Sequence, residues 1–447
     1  MDKDIKLKEK VKKITWPIFV ETALMSLLGS VDTLMLSKYS DASVAAAGIA
    51  NQIIWLLNIT FGIITTGTAI LITQYLGAKS DKKTIIQISG ISIGLNTIVG
   101  VLLSGLLIIL SIPILNFLKT PKEVITLADQ YVKIVGGSIF IQAISMTLTS
   151  ILRSHSKTKI CMNATIVMNV VNVILNYIFI FGKLGFPAMG IGGAAIATAI
   201  GKLFGLLILI KASYDLILKD FKNEYFKPFP KEHLINIFKI GVPTAGEQIS
   251  YNLSQLVITS FINILGVVSI AARSYIGTVV VFSYIFAIAS GQGSSIVIGE
   301  LIGNKEEDRA RNLCIYVIKR SLIVSLFISL IICLLGRNIL GLLTEDINII
   351  RIAAKVLILE IPLELGRCVN IVGINGLRAT GDVKFPVYIG IFSMWIFGVG
   401  LSYIMGVVLE LGLAGIWIGF TVDEWFRAVL VLLRWRRGNW RGKSFIK

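Results

Sequence analysis

The sequence predicts an all-α integral membrane protein: twelve transmembrane helices in two parallel six-helix repeats. Three observations lead there. Of the 447 residues 55% are hydrophobic and only 15% charged, with a mean hydropathy of +0.81, whereas soluble domains carry about 25% charged residues. Apolar runs recur twelve times, each long enough for the roughly 20 residues a spanning helix needs. Landmark residues repeat at one offset: Pro17 and Pro243, Glu21 and Glu247, and Gly67 and Gly293 are each 226 residues apart.

The elements follow in order. Six lysines precede the first span in "MDKDIKLKEKVKK". Spans at 15–37, 45–76, 86–117, 124–152, 160–182 and 191–217 make an amino-terminal lobe, residues 1–217. Residues 218–233, rich in lysine, read as a cytoplasmic linker. Spans at 234–264, 270–301, 313–343, 349–377, 385–408 and 412–433 make a carboxyl-terminal lobe, residues 234–433. A basic tail, 434–447, holds six Lys/Arg. The even-numbered connections, such as "GAKSDKKT" and "GNKEEDRAR", are richer in Lys/Arg than the odd-numbered ones, such as "KYSDAS" and "TEDIN". By the positive-inside rule both termini are expected in the cytoplasm and the chain in the inner membrane.

The repeat extends beyond single residues. "TAILITQYLGAKSDKKT" aligns with "SSIVIGELIGNKEEDRA" at 226, "LRSHSKTK" with "LRATGDVK" at 225, and "GIGGAAIA" with "GLAGIWIG" at 222. Shared leucines could arise by chance among apolar helices. A near-constant offset across prolines, glycines and basic loops does not. Six helices is an even number, so both halves insert the same way up, related by a pseudo-twofold along the membrane normal.

Several function classes are disfavoured. The net charge of +17 flanks spans and reads as topology, so no nucleic-acid partner is expected. Cys161, Cys314, Cys333 and Cys368 are scattered without metal-ligand spacing. There is no phosphate-binding Gly-rich loop with Lys-Ser/Thr, and the two histidines, His155 and His233, fall in connections. No enzyme activity, metal or cofactor is expected.

One acid, Asp32, sits within the first span in "SLLGSVDTLMLS". An intramembrane aspartate costs about 3 kcal/mol on insertion scales and is functional by default. Its repeat position is Ile258; Asn172, Asn176 and Thr198 meet Met394, Gly398 and Phe420. A carboxylate, two amides and a hydroxyl are hard oxygen ligands, suited to Na⁺ or to a carboxyl that binds H⁺. Interhelical hydrogen bonding is the competing reading for the asparagines and threonine; for Asp32 the ion-site reading is the stronger.

These residues and motifs carry a resemblance along essentially the whole chain. It resembles the multidrug and toxic compound extrusion (MATE) family of the multidrug/oligosaccharidyl-lipid/polysaccharide exporter superfamily. Pro17 lies fifteen residues before Asp32, and "NVILNYIFIFG", "GIGGAAIAT" and "LRATGDVKFP" resemble the family's fifth-helix, sixth-helix and post-tenth-helix motifs. The resemblance implies export of organic, mostly cationic compounds, driven by a Na⁺ or H⁺ gradient through alternating access. It also carries an ion site onto Asp32, Asn172, Asn176 and Thr198. Some relatives have an aspartate where Asn176 stands, which leaves Na⁺ and H⁺ both open. Members with a second-lobe cation site carry an acid eleven residues before the motif arginine; here that residue is Arg367.

The other charges within spans give a substrate surface. Glu21 and its repeat mate Glu247 are expected to face a cavity as an acidic pair without basic counterparts. Met25 and Tyr251, with Met146, Phe282 and Trp395, are candidate wall residues for a cation. Glu364 is a further candidate, although pairing with Arg367 inside the helix is favoured. Asp423 and Arg427 are spaced as a helix-anchoring ion pair. The expected partners are small organic cations and the lipid bilayer, and the carrier is expected to act as a monomer. The alternative is a flippase for lipid-linked oligosaccharides or lipids in the same superfamily.

Overall fold

The computed structural model describes residues 2–446, which are helical wherever regular structure occurs. Every expected span is matched by a helix. In order these are α1 (Asp2–Ser37), α2 (Asp41–Gly77), α3 (Lys82–Phe117), α4 (Lys122–Tyr131), α5 (Ile139–Ser154), α6 (Thr158–Phe181) and α7 (Ile191–Ser213). They continue as α8 (Lys231–Ile264), α9 (Val267–Gly303), α10 (Glu307–Gly341), α11 (Ile347–Thr380), α12 (Lys384–Ser393) and α13 (Gly412–Arg437). The fourth span is broken. A π-helical turn, Val132–Gly136, separates α4 from α5, and the two are bent by 43°. The eleventh continues α12 through wide-turn helix to Val408.

Among the described residues eight helices are long and apolar enough to cross a membrane by themselves, or nine when the bent pair counts as one. The helices outside that set are α8, α11 and α13. Two of these, α11 and α13, carry buried acids and arginines, so their polarity is concentrated in side chains that find partners inside the protein.

The chain packs into two compact units that divide it elsewhere than the repeats do. One comprises Met1–Phe19 and Val242–Lys447; the other is Val20–Gly241. Helices α1 and α8 are 36 and 34 residues long, well beyond a span, so one helix can serve both units. Each handover lies within two residues of a proline, Pro17 in α1 and Pro243 in α8. A proline there removes a backbone donor and weakens the helix locally.

In the unit containing the chain start, Val11, Ile14 and Ile18 join a core with Val297, Leu301, Val372 and Trp435. Lys10 pairs with Glu300, and Arg309 with Asp4 at 3.2 Å. Gly293 admits this segment: a methyl there would lie 2.4 Å from Thr15 Oγ1. In the Val20–Gly241 unit the first turns of α8 play the corresponding part. A methyl on Gly67 would lie 2.5 Å from the Ile237 carbonyl oxygen, and His233 meets Tyr75 edge-on at 5.7 Å. The repeated glycines at 67 and 293 thus mark where a helix backbone crosses closely.

Two further features of the Val20–Gly241 unit position its site. Gly193 and Gly201 let α7 lie against α6; a methyl on Gly193 would be 2.6 Å from the Phe179 backbone carbon. Gly182 ends α6 at φ +64°, where a Cβ would sit 2.5 Å from Ala188 N, so only glycine closes this turn without strain. The 218–233 segment docks on the start of α3. Lys82 pairs with Asp220, which holds that exposed carboxyl below the usual range, and Gln87 donates to the Tyr225 carbonyl.

Candidate ion site

Helices α1, α6 and α7 bring the four expected ligands together in the Val20–Gly241 unit. Asn172 and Asn176 lie one turn apart on α6 and share one buried face. Asn176 Nδ2 donates to Asp32 Oδ1 at 2.6 Å and to Asn172 Oδ1 at 2.9 Å. Asn172 Nδ2 in turn donates to Thr198 Oγ1 at 3.3 Å. The four side chains therefore form one hydrogen-bonded row from α1 through α6 to α7. Close approach of α7 makes this possible, since a methyl on Gly201 would lie 3.2 Å from Asn172 Cβ. On the α1 side, Asn169 Nδ2 donates to the Leu24 carbonyl at 3.0 Å and holds α1 against α6.

The row leaves an acceptor over. Asn176 Oδ1 is enclosed and receives no donor among the described residues. A buried carbonyl oxygen beside a half-buried carboxylate wants a cation or an O–H. Carboxylate, amide and hydroxyl oxygens are the hard donors that Na⁺ takes, and a protonated Asp32 would offer the hydroxyl instead.

Two residues absent from the sequence-based set also lie here. Tyr131, on α4, lies close to Thr198 and Asn51. Lys202, one turn beyond Thr198 on α7, lies within electrostatic reach of Asp32. The signal for Lys202 was available, because a lysine within a span is as exceptional as an aspartate. Tyr131 had none, since a tyrosine on an apolar face is ordinary.

The expectation that Glu21 and Glu247 lack basic counterparts is corrected. Glu21 is buried and paired with Arg153 at 2.8 Å, and Glu247 is paired with Arg378 at 2.6 Å. Charged groups enclosed in a span recruit an opposite charge from a helix far along the chain, which spacing on one helix does not reveal. Met25 and Tyr251 are each 44% exposed, as a surface that touches ligand or lipid requires. Glu364 is fully buried and pairs with Arg367, as the helix spacing anticipates. Asp423 and Arg427 do pair, at 2.6 Å, but Arg427 also meets Glu424 at 3.1 Å.

The MatE family model matches residues 17–178 and 243–404, one copy in each repeat. An uncharacterized transporter of Bacillus subtilis, YisQ, is 40% identical over 431 residues, covering 96% of this chain and 94% of that one. A probable multidrug resistance protein NorM of Thermotoga maritima is 27% identical, covering 98% and 94%. Among solved structures, a mutant of the Vibrio cholerae MATE transporter VcmN superposes with a TM-score of 0.91 at 20% identity, covering all of both chains. A MOP superfamily transporter from Pyrococcus furiosus superposes with a TM-score of 0.88 at 20% identity, covering 97% of this chain and 96% of that one. The likeness in structure gives the twelve-span fold, and with the family match across both repeats it identifies this chain as a member of the MATE family of multi-pass membrane transporters.

Proposed function

We propose that the protein is a cation-coupled antiporter that exports small organic compounds by alternating access. The observation that carries this reading is the row Asp32–Asn176–Asn172–Thr198, with Asn176 Oδ1 left over beside the carboxylate. The names of several relatives, probable multidrug resistance proteins, support the choice of cargo. When Asp32 binds an incoming Na⁺ or H⁺, its hydrogen bond to Asn176 changes partner or sign. Because Asn176 also holds Asn172, and Asn172 holds Thr198, that change reaches α6 and α7 together. An ion drives export only to the extent that it binds one conformation more tightly than the other. In the inner membrane, with both termini cytoplasmic, the driving ion enters from outside as the compound leaves.

Mostly cationic cargo remains the preferred class, on changed grounds. Glu21 and Glu247 are neutralised by their arginines and supply no net attraction. The attraction falls instead to Asp32. Aromatic and thioether side chains at Tyr251 and Met25 suit varied flat cations.

The test is ethidium efflux from proteoliposomes of purified protein, with a Na⁺ gradient and a pH gradient imposed separately. Efflux driven by one of them is expected. Flipping of an anionic pyrophosphate-linked lipid without cation efflux would move the assignment to the flippase alternative.

A further inference from the structure

Helices α8 and α9 carry a cation that the row around Asp32 does not use. Arg273 lies in the second turn of α9, inside the span expected at 270–301. The span arginines described above, Arg153, Arg367, Arg378 and Arg427, each meet a carboxylate. Arg273 does not. Its Nη1 donates to Thr259 Oγ1 at 2.8 Å and its Nη2 to Gln255 Oε1 at 3.0 Å. Both acceptors are neutral. Among the described residues, Tyr251 is the one titratable group within its electrostatic reach. A guanidinium in a span is costly and ordinarily recruits an opposite charge. A tie between α8 and α9 needs donors but no charge, and here the charge is kept.

Snorkelling does not account for it, because that would extend the guanidinium toward the nearby helix end. The two helices are joined by a short turn at Leu265 and Gly266, so depths along them can be compared. Arg273 stands about 9 Å along α9 from its start at Val267, at 1.5 Å per residue. Its acceptor Gln255 stands about 14 Å along α8 from its end at Ile264. The guanidinium therefore reaches deeper into the span than its own backbone.

The surroundings leave room for an occupant. Tyr251, Gln255 and Thr259 recur every four residues and share one face of α8. Tyr251 and Thr259 are exposed and Gln255 is half-buried. One turn beyond Arg273, Gly277 is exposed, and a methyl there would meet nothing within 4 Å. A guanidinium has five N–H donors, and Gln255 and Thr259 engage one on each of two nitrogens. A fixed, planar cation with donors to spare and open space beside it suits a carboxylate or a phosphate, which guanidinium binds through parallel hydrogen bonds.

We propose that Arg273, held by Gln255 and Thr259, anchors an oxyanion-binding site on α8 and α9 that takes the carboxylate or phosphate of an amphipathic molecule. Where that molecule is cargo, the inference rests on the export reading and extends it to compounds that carry a carboxylate beside their cation. The site lies in the unit containing Val242–Lys447 and uses none of the residues of the Asp32 row.

The experiment is equilibrium binding of one dye in two forms, rhodamine 110 with a free carboxylate and rhodamine 123, its methyl ester. Fluorescence anisotropy reads both on the full chain in phospholipid-free maltoside micelles, with no gradient applied. The free acid is expected to bind several-fold more tightly than the ester. Arg273→Gln keeps a donor but removes the charge, and should abolish that difference. Gly277→Glu sets a carboxylate one turn from Arg273 and should abolish it too, so the test survives if either variant fails to fold. Native mass spectrometry addresses the lipid source: phosphatidylglycerol retained by the unmodified protein and lost from both variants assigns the site to a lipid phosphate. Equal affinity for acid and ester with no lipid retained, or an unchanged preference or retention in a folded variant, would overturn the proposal. An intact acid preference without gradient-driven ethidium efflux would support the site and count against the export reading alone.

Discussion

The carboxylate of Glu21 meets the guanidinium of Arg153 at 2.8 Å, and the same pair is built again, as Glu247 with Arg378 at 2.6 Å, one repeat later. Each glutamate lies four residues after its proline, and each arginine belongs to its copy of the Leu-Arg motif. The duplicated fold has kept an ion pair between its first and fourth spans in both copies, with Glu21 buried and Glu247 half-buried. Its role is to tie the first helix of each repeat to the helix that precedes a basic loop. Substrate attraction, the role expected from the glutamates alone, does not suit a neutralised pair.

The first prediction follows from that pairing. Arg153→Ala leaves the buried Glu21 carboxylate without its partner and should lower stability by about 3–5 kcal/mol, and Arg378→Ala, whose partner Glu247 is half-buried, by less. Glu21→Gln combined with Arg153→Gln should recover much of the loss. Thermal unfolding of the purified variants reads both, and additive single and double effects would show that the pair is not coupled.

Asp32→Asn should abolish gradient-driven efflux while the protein inserts and still binds drug. The amide keeps the shape but lacks the charge that takes an ion. Asn176→Ala should raise the Na⁺ concentration needed for drug release if the ion is Na⁺, or displace the pH profile if it is H⁺. Transport and equilibrium drug binding in the same proteoliposomes separate these outcomes; full efflux by Asp32→Asn would make the acid structural.

Lys202 acts on Asp32 with the sign of a competing cation. Lys202→Met removes that competition, so the half-saturating concentration of the coupling ion should fall several-fold. Because tighter binding also slows release, maximal efflux should fall with it. A flux titration measures both, and an unchanged half-saturation would place Lys202 outside the ion's field.

The close crossings predict an asymmetry between repeat mates. At Gly67 a methyl would strike the Ile237 backbone, whereas at Gly293 the nearest atom is a threonine hydroxyl that can rotate. Gly67→Ala should therefore cost more than Gly293→Ala, within the roughly 1–3 kcal/mol of overpacking. Unfolding midpoints of the two variants provide the comparison.

Topology can be read directly. Single-cysteine tags at Lys79, Lys157 and Lys305 and at the carboxyl terminus should be labelled from the cytoplasm, and tags near Ser40 and Glu345 from outside. A carboxyl terminus found outside would break the even span count and the parallel repeat together.

Hydropathy, proline and glycine positions and the repeat offset make the twelve spans, the two copies and the four residues of the row around Asp32 legible in the sequence alone. Each of those is written along one helix or between two copies of it. Asn172 and Asn176 share a face because 3.6 residues make a turn, and their asymmetry with Met394 and Gly398 needs only an alignment of the chain with itself. The arginines opposite Glu21 and Glu247 are 132 and 131 residues away, and no periodicity couples positions so distant. Packing of helices brought them together. It also gave the first 19 residues to the unit of the second repeat, because a helix of 36 residues outruns one span and its crossing is set by where a glycine admits it. The setting of Arg273 belongs to the same class: its acceptors Gln255 and Thr259 stand on another helix, and only the three-dimensional arrangement leaves its guanidinium without a carboxylate among the described residues.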